Sequence, residues 1–293
     1  MKNKKIDNVE VTEGMTWFME HHTPNAALAL KIKEHIFTHQ SEYQLIEIFE
    51  TYEFGRVLTL DKLVMITERD EFAYHEMLTH VPMLIHPNPR NVLVVGGGDG
   101  GTLREVVKHP TLEKVVQVEI DGSVVEACKE YFPQTASAYD HPKVELVIDD
   151  ALKYIQSVRD QFDVVLVDSS DPIGPAVGLF DSPFYKDIRD SLRNGGIMAG
   201  QTAPLFYEIS RIRQTTERLR SLFPWVWLYT AYVPTYPSGV WGFSIASKKE
   251  NLDTTPDNVR YLTLKEKLLY YNIAIHTGSM MLPEYVERAV KEN

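Results

Sequence analysis

Hydrophobic and polar positions change rhythm along the 293-residue chain. From about Glu42 to Arg69 the chain reads as short strands: YQLIEIFETYEFGRVLTLDKLVMITERD (43–70) is rich in Tyr, Ile, Val and Thr, with turns at Phe54-Gly55 and Asp61-Lys62. No helical period of useful length interrupts it, so it predicts a small antiparallel β unit. EFAYHEMLTHVPMLI then carries Phe72, Met77, Leu78 and Val81 at helical spacing and ends near Pro87 and Pro89. After Arg90, the apolar runs NVLVV, KVVQVEI, VELVI, FDVVLV and GGIMAG alternate with LREVVKH, SVVEACKEYF, ALKYIQSV and FYKDIRDSL, each helical in character. Apolar strands buried on both faces and separated by helices are the pattern of an α/β fold with a parallel, doubly wound sheet. WVWLYTAYVPTYPSG and WGFSIAS read as an antiparallel pair closing the sheet's edge, and a polar linker, NLDTTPDN, leads to a last helix over LTLKEKLLYYNIAI. The expected division is an N-terminal β domain over 1–69 and a catalytic domain over 70–293.

Composition narrows the ligands. Lys+Arg 30 against Asp+Glu 41 gives a formal charge of −11, and 44% hydrophobic with 24% charged residues is an ordinary globular balance. A pI near 5.4 argues against nucleic acid or an anionic membrane, either of which needs a basic patch, and favours cationic small molecules. One cysteine, Cys128, cannot form an intramolecular disulfide and fits a reducing compartment. MKNKKIDNVEVTEG is basic without an apolar stretch behind it, so no signal peptide is expected. No run approaches the ~18 to 20 apolar residues of a membrane span. These features predict a cytoplasmic protein.

Candidate chemistry gathers at strand ends. Val92–Val95 run into Gly96-Gly97-Gly98-Asp99-Gly100-Gly101 and a helix, the strand, glycine turn and helix start of a nucleotide-binding crevice. Gly96, Gly98 and Gly101 satisfy G-x-G-x-x-G, so a dinucleotide must be weighed. Asp99, however, would repel a diphosphate by ~1 to 4 kcal/mol at contact and would attract an ammonium. Glu119, about 20 residues on, suits the ribose hydroxyls of a nucleoside without separating NAD from an S-adenosyl ligand. Asp149 and Asp150 offer acceptors to an adenine amino group; their plainer reading is a helix N-cap and first-turn acid. Asp168 and Asp171, separated by two serines beside Pro and Gly, form a pair able to bind a cationic amine and remove its proton; the plainer reading is an Asx-turn. His75 and His80 in HEMLTH are five apart, ~140° around a helix, and do not share a metal. Cys128 reads as core, Trp225, Trp227, Tyr229 and Tyr232 as strand packing, and Tyr236, between prolines, as a ring held over a pocket.

GGGDGGTLREVVKH, VEID, DSSDPIGPAVGLF, TERDEFAYHEM and PTYPSG, in their order along the chain, together resemble the spermidine synthases, or polyamine aminopropyltransferases. The similarity runs from about Trp17 to the C-terminal helix. It implies an S-adenosylmethionine-type Rossmann-like domain behind a small N-terminal antiparallel β domain that mediates oligomerisation and walls part of the site, in homodimers or homotetramers. The implied reaction moves an aminopropyl group from decarboxylated S-adenosylmethionine, a co-substrate rather than a cofactor, to putrescine, giving spermidine and 5′-methylthioadenosine; no metal is implied. Carried onto this chain, the resemblance makes Asp168 the general base. It puts Gln44, Gly96, Gly98, Asp99, Glu119, Asp149 and Asp150 around the donor. Around the acceptor it puts Tyr74, His75, Asp99, Asp171, Gln201 and Tyr236, with His75 where some members have glutamine. Residues 169–180 are an expected lid. Agmatine, cadaverine or spermidine as acceptor stays open, as do a methyltransferase and a non-catalytic nucleoside-binding protein.

Overall fold

The computed structural model describes residues 9–12, 15–172 and 174–291. Residues 1–8 and 13–14 of the expected N-terminal domain, with the basic leader that was read for a signal peptide, lie outside the described residues, as does Ile173 of the expected lid. Strands β1 (Val9–Thr12), β2 (Met15–Thr23), β3 (Ala26–Gln40), β4 (Leu45–Thr51), β5 (Arg56–Leu60) and β6 (Leu63–Thr67) form one antiparallel sheet in that order. The β4–β6 meander fills the stretch read as strands from its sequence. Its two turns use left-handed backbone at Gly55 (φ 67°), Asp61 (φ 47°) and Lys62 (φ 70°). The β2–β3 hairpin lies within the expected N-terminal β domain, although its local pattern gave no strand signal: AALALKIKEHIFTHQ is rich in Ala and Lys, residues of poor strand propensity. Its face alternation nevertheless buries Leu30 and Ile32, and two bulges, after Ile32 and after His35, bend it against β4.

The rest of the chain follows in the order α1 (Glu71–Ile85), β7 (Asn91–Gly96), α2 (Gly101–Val107), β8 (Lys114–Glu119), α3 (Gly122–Tyr131), β9 (Val144–Ile148), α4 (Ala151–Gln156), β10 (Phe162–Asp168), α5 (Ser182–Ser191), β11 (Leu192–Pro204), α6 (Ile209–Arg220), β12 (Trp225–Tyr232), β13 (Val240–Ser247), α7 (Asn258–Leu264), α8 (Ile273–Ser279) and α9 (Glu284–Val290). The second sheet has the order β12-β13-β11-β10-β7-β8-β9. Its strands β7 to β11 are parallel, and β13 and β12 close the edge in antiparallel fashion, as the sequence pattern predicts. Val92, Val94, Val164 and Leu166 pack into one core while Leu93, Val95, Val165 and Val167 pack into another, so these strands are buried on both faces. A third core joins the sheets: Ile46, Ile48, Leu58 and Ile66 meet Val124, Ala127 and Cys128 of α3.

The last expected helix is a correction. LTLKEKLLYYNIAI is not continuous: α7 ends in a 3-10 turn at Lys265–Lys267, and α8 begins only at Ile273. The cause is Glu76 of α1, whose buried carboxylate accepts the backbone N–H groups of Leu269, Tyr270 and Tyr271 at 2.7–2.9 Å. Those donors are thereby taken from any helix. Asn272 then caps α8 by accepting from the Ile275 N–H. Helices α6 and α9 were also missed. No helix among the described residues is long and apolar enough to cross a membrane.

Candidate active site

Connections run outward from β7 to β8 and β9 on one side and return to β10 on the other, so the sheet's topological switch lies between β7 and β10, where α/β folds bind ligands. Asp168 at the end of β10 is in register with Gly96 at the end of β7. The approach is close enough to require glycine: a Cβ on Gly96 (φ 77°) would lie 2.3 Å from the Asp168 carbonyl oxygen, and one on Gly97 (φ 69°) 2.7 Å from the Asp168 Oδ2. The loop is held from below by Gln117, which donates to the carbonyls of Gly96 and Gly97 at 2.8 and 2.6 Å, and from the side by Tyr139 Oη on the Gly98 carbonyl at 2.9 Å.

A cleft lies over this loop and is walled on the far side by Leu58, Leu60 and Met65 of the N-terminal sheet. Gln44, Gly96, Gly98, Asp99, Glu119, Asp150, Tyr74, His75, Asp168, Asp171 and Tyr236 line it; Asp149 and Gln201 do not. Asp149 is spent on the Asp150 N–H at 2.7 Å. Asp150 is the N-cap of α4, accepting from Leu152, and still borders the cleft. Gln201 stands behind the wall, donating to the carbonyls of Ser169 and Ser170 at 3.2 Å each.

At the nucleoside end, Glu119 accepts the Asp121 N–H at 2.9 Å and is 8% exposed. Burial, with the charges of Asp121 and Asp168, raises its carboxyl to about 7. Gln44 reaches across from the β3–β4 turn to donate to Asp121 Oδ2 at 3.0 Å, tying the N-terminal sheet to the cap of α3.

At the other end, the acidic groups gathered at the strand ends enclose a histidine. His75 is buried with Nδ1 2.6 Å from Glu71 Oε2 and Nε2 3.1 Å from Asp99 Oδ1. Burial opposes its charge, but Asp99 and Glu71 outweigh burial and hold the imidazolium well above the ordinary histidine value. The pocket thus contains a cation of its own, a fact spacing along the chain does not reveal. Asp99 Oδ1 also accepts the Gly101 N–H at 2.7 Å, which leaves Oδ2 for the cleft. Burial would raise the Asp99 carboxyl; His75 outweighs it and holds the group below its usual value. Asp168 moves the other way: burial and the Asp99 charge raise it to about 6, against the pull of His75 and of the Thr102 and Tyr74 hydroxyls. Its Oδ2 is buried without an aligned hydrogen-bond partner among the described residues. One ligand atom each from His75, Asp99 and Asp168 lies within 4.8 Å of the others, as in a metal triad. Both ring nitrogens of His75 are committed as donors, however, so no lone pair remains for a cation.

Tyr74 and Tyr236 flank the carboxylates with ring centroids 5.7 Å apart, and Tyr236 donates its hydroxyl to the Met65 carbonyl at 2.6 Å. Burial and the nearby Asp168 keep both phenols protonated. Asp171 is not free: Arg211 of α6 holds it at 3.0 Å. Residues 174–180 of the expected lid form a 3-10 turn, from which Ala176 and Leu179 line the cleft. Sequence reasoning missed Gln117, Tyr139, Arg104 and Glu71. Gln117 had a signal, a lone amide in an apolar strand. So did Glu71, set four residues before His75 on one helix.

Comparison with known proteins agrees with this geometry. The spermine/spermidine synthase domain matches residues 71–256, and the spermidine synthase tetramerisation domain matches residues 16–68. The chain is 43% identical to the polyamine aminopropyltransferase of Methanocaldococcus jannaschii over 94% of its length and 95% of that protein's, and 44% identical to that of Bacillus cytotoxicus over 94% and 99%. It superposes on a spermidine synthase solved in complex with the transition state analogue AdoDATO with a TM-score of 0.90, at 40% identity and 94% coverage of each chain. For the spermidine synthase of Thermotoga maritima the TM-score is 0.87, at 39% identity with coverage of 94% and 93%. Matched over nearly its whole length in both sequence and fold, the chain belongs to the spermine/spermidine synthase family, the polyamine aminopropyltransferases.

Proposed function

We propose that this aminopropyltransferase carries the aminopropyl group of decarboxylated S-adenosylmethionine to putrescine, with Asp168 as the general base. The observation that carries the reading is Asp168 Oδ2, a buried carboxylate oxygen on a cleft-lining residue with no aligned hydrogen-bond partner among the described residues. Glu119 takes the ribose hydroxyls, Asp150 the adenine amino group with Gln44 above it, and the Gly96–Gly98 backbone lets the nucleoside approach. Asp99 Oδ2 receives the donor's terminal ammonium. The carboxylate of intact S-adenosylmethionine would meet the same acid and be repelled. Tyr74, Tyr236, His75 and Asp171 surround the diamine, and Gln201 acts behind them by fixing the 169–170 carbonyls. Asp149 we place with the α4 cap rather than with the ligand.

An ammonium has no lone pair, so one end of putrescine gives its proton to Asp168. The free nitrogen then attacks the methylene next to sulfur in line; the C–S bond breaks, and its electron pair leaves with sulfur as neutral methylthioadenosine. At about 6, Asp168 stands closer to an amine near ~10.4 than an ordinary aspartate at ~3.9 would, and desolvation of the amine narrows the gap further. Along the reaction the positive charge passes from sulfur to the attacking nitrogen, which becomes the new secondary ammonium beside Asp168. Alignment of the two substrates supplies most of the acceleration.

The 1–69 unit, set apart from the catalytic 70–293, assembles copies of this chain into a homo-oligomer, and the single reduced Cys128 suits the cytoplasm. The test mixes purified protein and decarboxylated S-adenosylmethionine with putrescine, cadaverine, agmatine and spermidine in turn. Methylthioadenosine should form fastest with putrescine. Faster turnover of another amine overturns the acceptor, and faster methyl transfer from S-adenosylmethionine overturns the reaction.

A further inference from the structure

Helices α1 and α2 bury between them a row of charges that the transfer chemistry does not itself consume. From the cleft inward, Asp99 faces His75, and His75 faces Glu71. Arg104 donates from both terminal nitrogens to the two oxygens of Glu71 at 2.8 and 2.9 Å, and its Nε donates to Glu105 at 2.8 Å. Glu105 is closed off by His80 at 3.0 Å and Lys108 at 2.6 Å. Signs alternate along the row, and His75, Glu71 and Glu105 have side chains 1%, 9% and 0% exposed. A carboxylate at each ring nitrogen requires His75 to donate twice. A neutral ring would turn a lone pair toward an oxygen at 2.6 or 3.1 Å.

We propose that Glu71, gripped by Arg104, is a positioning residue for aminopropyl transfer: it holds His75 as a doubly donating cation, whose fixed charge lets Asp99 and Asp168 be ionised together. The inference rests on the base role of Asp168 given above. Without a cation, two buried carboxylates this close compete for one proton, and the base becomes available only at higher pH. The groups facing His75 are Glu71 and Tyr74 from α1, Asp99 from the glycine loop, Asp168 from β10, and Arg104 of α2 through Glu71. Tyr236, from the β12–β13 connection, faces Tyr74 and remains a neutral phenol. His75 is therefore the one cation directly in contact with the carboxylate pair among the described residues. The fork of Arg104 keeps Glu71 ionised, since burial alone would raise its carboxyl and release the ring; the hydrogen bonds and charges of His75 and Arg104 outweigh burial.

The experiment compares kcat/KM for putrescine between about pH 5 and about pH 9.5 in the unsubstituted enzyme, Glu71→Gln and His75→Gln, with thermal unfolding of each; this ratio reports the acid and base of the free enzyme. Loss of the fixed charge should move the acid limb up by about one pH unit in both variants, so the loss at pH 6 exceeds that at pH 9 by about fivefold. A purely structural role lowers the melting temperature and cuts the rate by one factor at every pH, and a limb that stays put overturns the inference. Should Glu71→Gln fail to fold, His75→Gln decides by the same criterion, because its amide removes the charge and keeps a donor toward one of the two carboxylates. Failure of the underlying reading is distinguishable: Asp168→Asn would then form methylthioadenosine within about twofold of the unsubstituted rate, whatever the acid limb does in the other two variants.

Discussion

The loop after β7 and the loop after β10 leave the sheet side by side, yet they are held in opposite ways. Gln117 and Tyr139 pin the first through its carbonyls, the Gly97 N–H is bonded to the Asp168 carbonyl at 2.8 Å, and His75 holds Asp99. The second is held near its start by two 3.2 Å bonds from Gln201 and by the partly exposed Asp171–Arg211 ion pair. The groups proposed for the donor are thus fixed before any ligand arrives, which is what electrostatic preorganisation requires. On the side proposed for the acceptor, Asp171 is already balanced by Arg211, with which a bound ammonium would have to exchange.

Alanine at one glycine in each loop should break this comparison most sharply. On Gly96 the new Cβ meets backbone at 2.3 Å in a left-handed conformation, so relief must come from shifting the end of β10 and Asp168 with it. Displacement of the base by about 1 Å costs roughly 10²-fold in turnover, and Gly96→Ala should show such a loss together with a lower melting temperature. On Gly178 the nearest atom, at 2.6 Å, is the far end of the Leu152 side chain, which can rotate away. Gly178→Ala should change kcat less than about threefold, within the range of a surface change. Equal losses from the two would erase the distinction.

A smaller effect sharpens the acceptor side. Arg211→Met frees Asp171, and because a partly exposed ion pair is worth about 0–1 kcal/mol, the KM for the diamine should fall by no more than about fivefold. Steady-state kinetics checks this; a KM that rises instead marks the pair as a strut for the loop.

The parts of the molecule legible in the sequence are those made by local pattern. NVLVV and FDVVLV are strands because both faces are covered, and GGGDGG could be placed because its glycines answer a backbone contact at a strand end. Groups set by distant partners were hidden. Glu76 breaks the C-terminal helix from nearly 200 residues away, the strand β3 overrides its own propensities through pairing on both edges, and Asp171 finds its cation on α6, a helix the periodicity did not reveal. The charge of His75 belongs to the same class. The motif brings it beside Tyr74, but only the fold closes Asp99 and Glu71 around both its nitrogens. Asp149 and Asp150 show the limit of spacing most plainly: of two adjacent acids at one strand end, only the cap borders the cleft.

The base assignment is tested most directly by single-turnover formation of methylthioadenosine in Asp168→Asn, with decarboxylated S-adenosylmethionine bound beforehand and putrescine added. The amide is close in size to the carboxylate and cannot take the amine's proton, so the rate should fall by ~10² or more while the donor still binds. A rate within about twofold of the unsubstituted enzyme would contradict the assignment of Asp168 as the base.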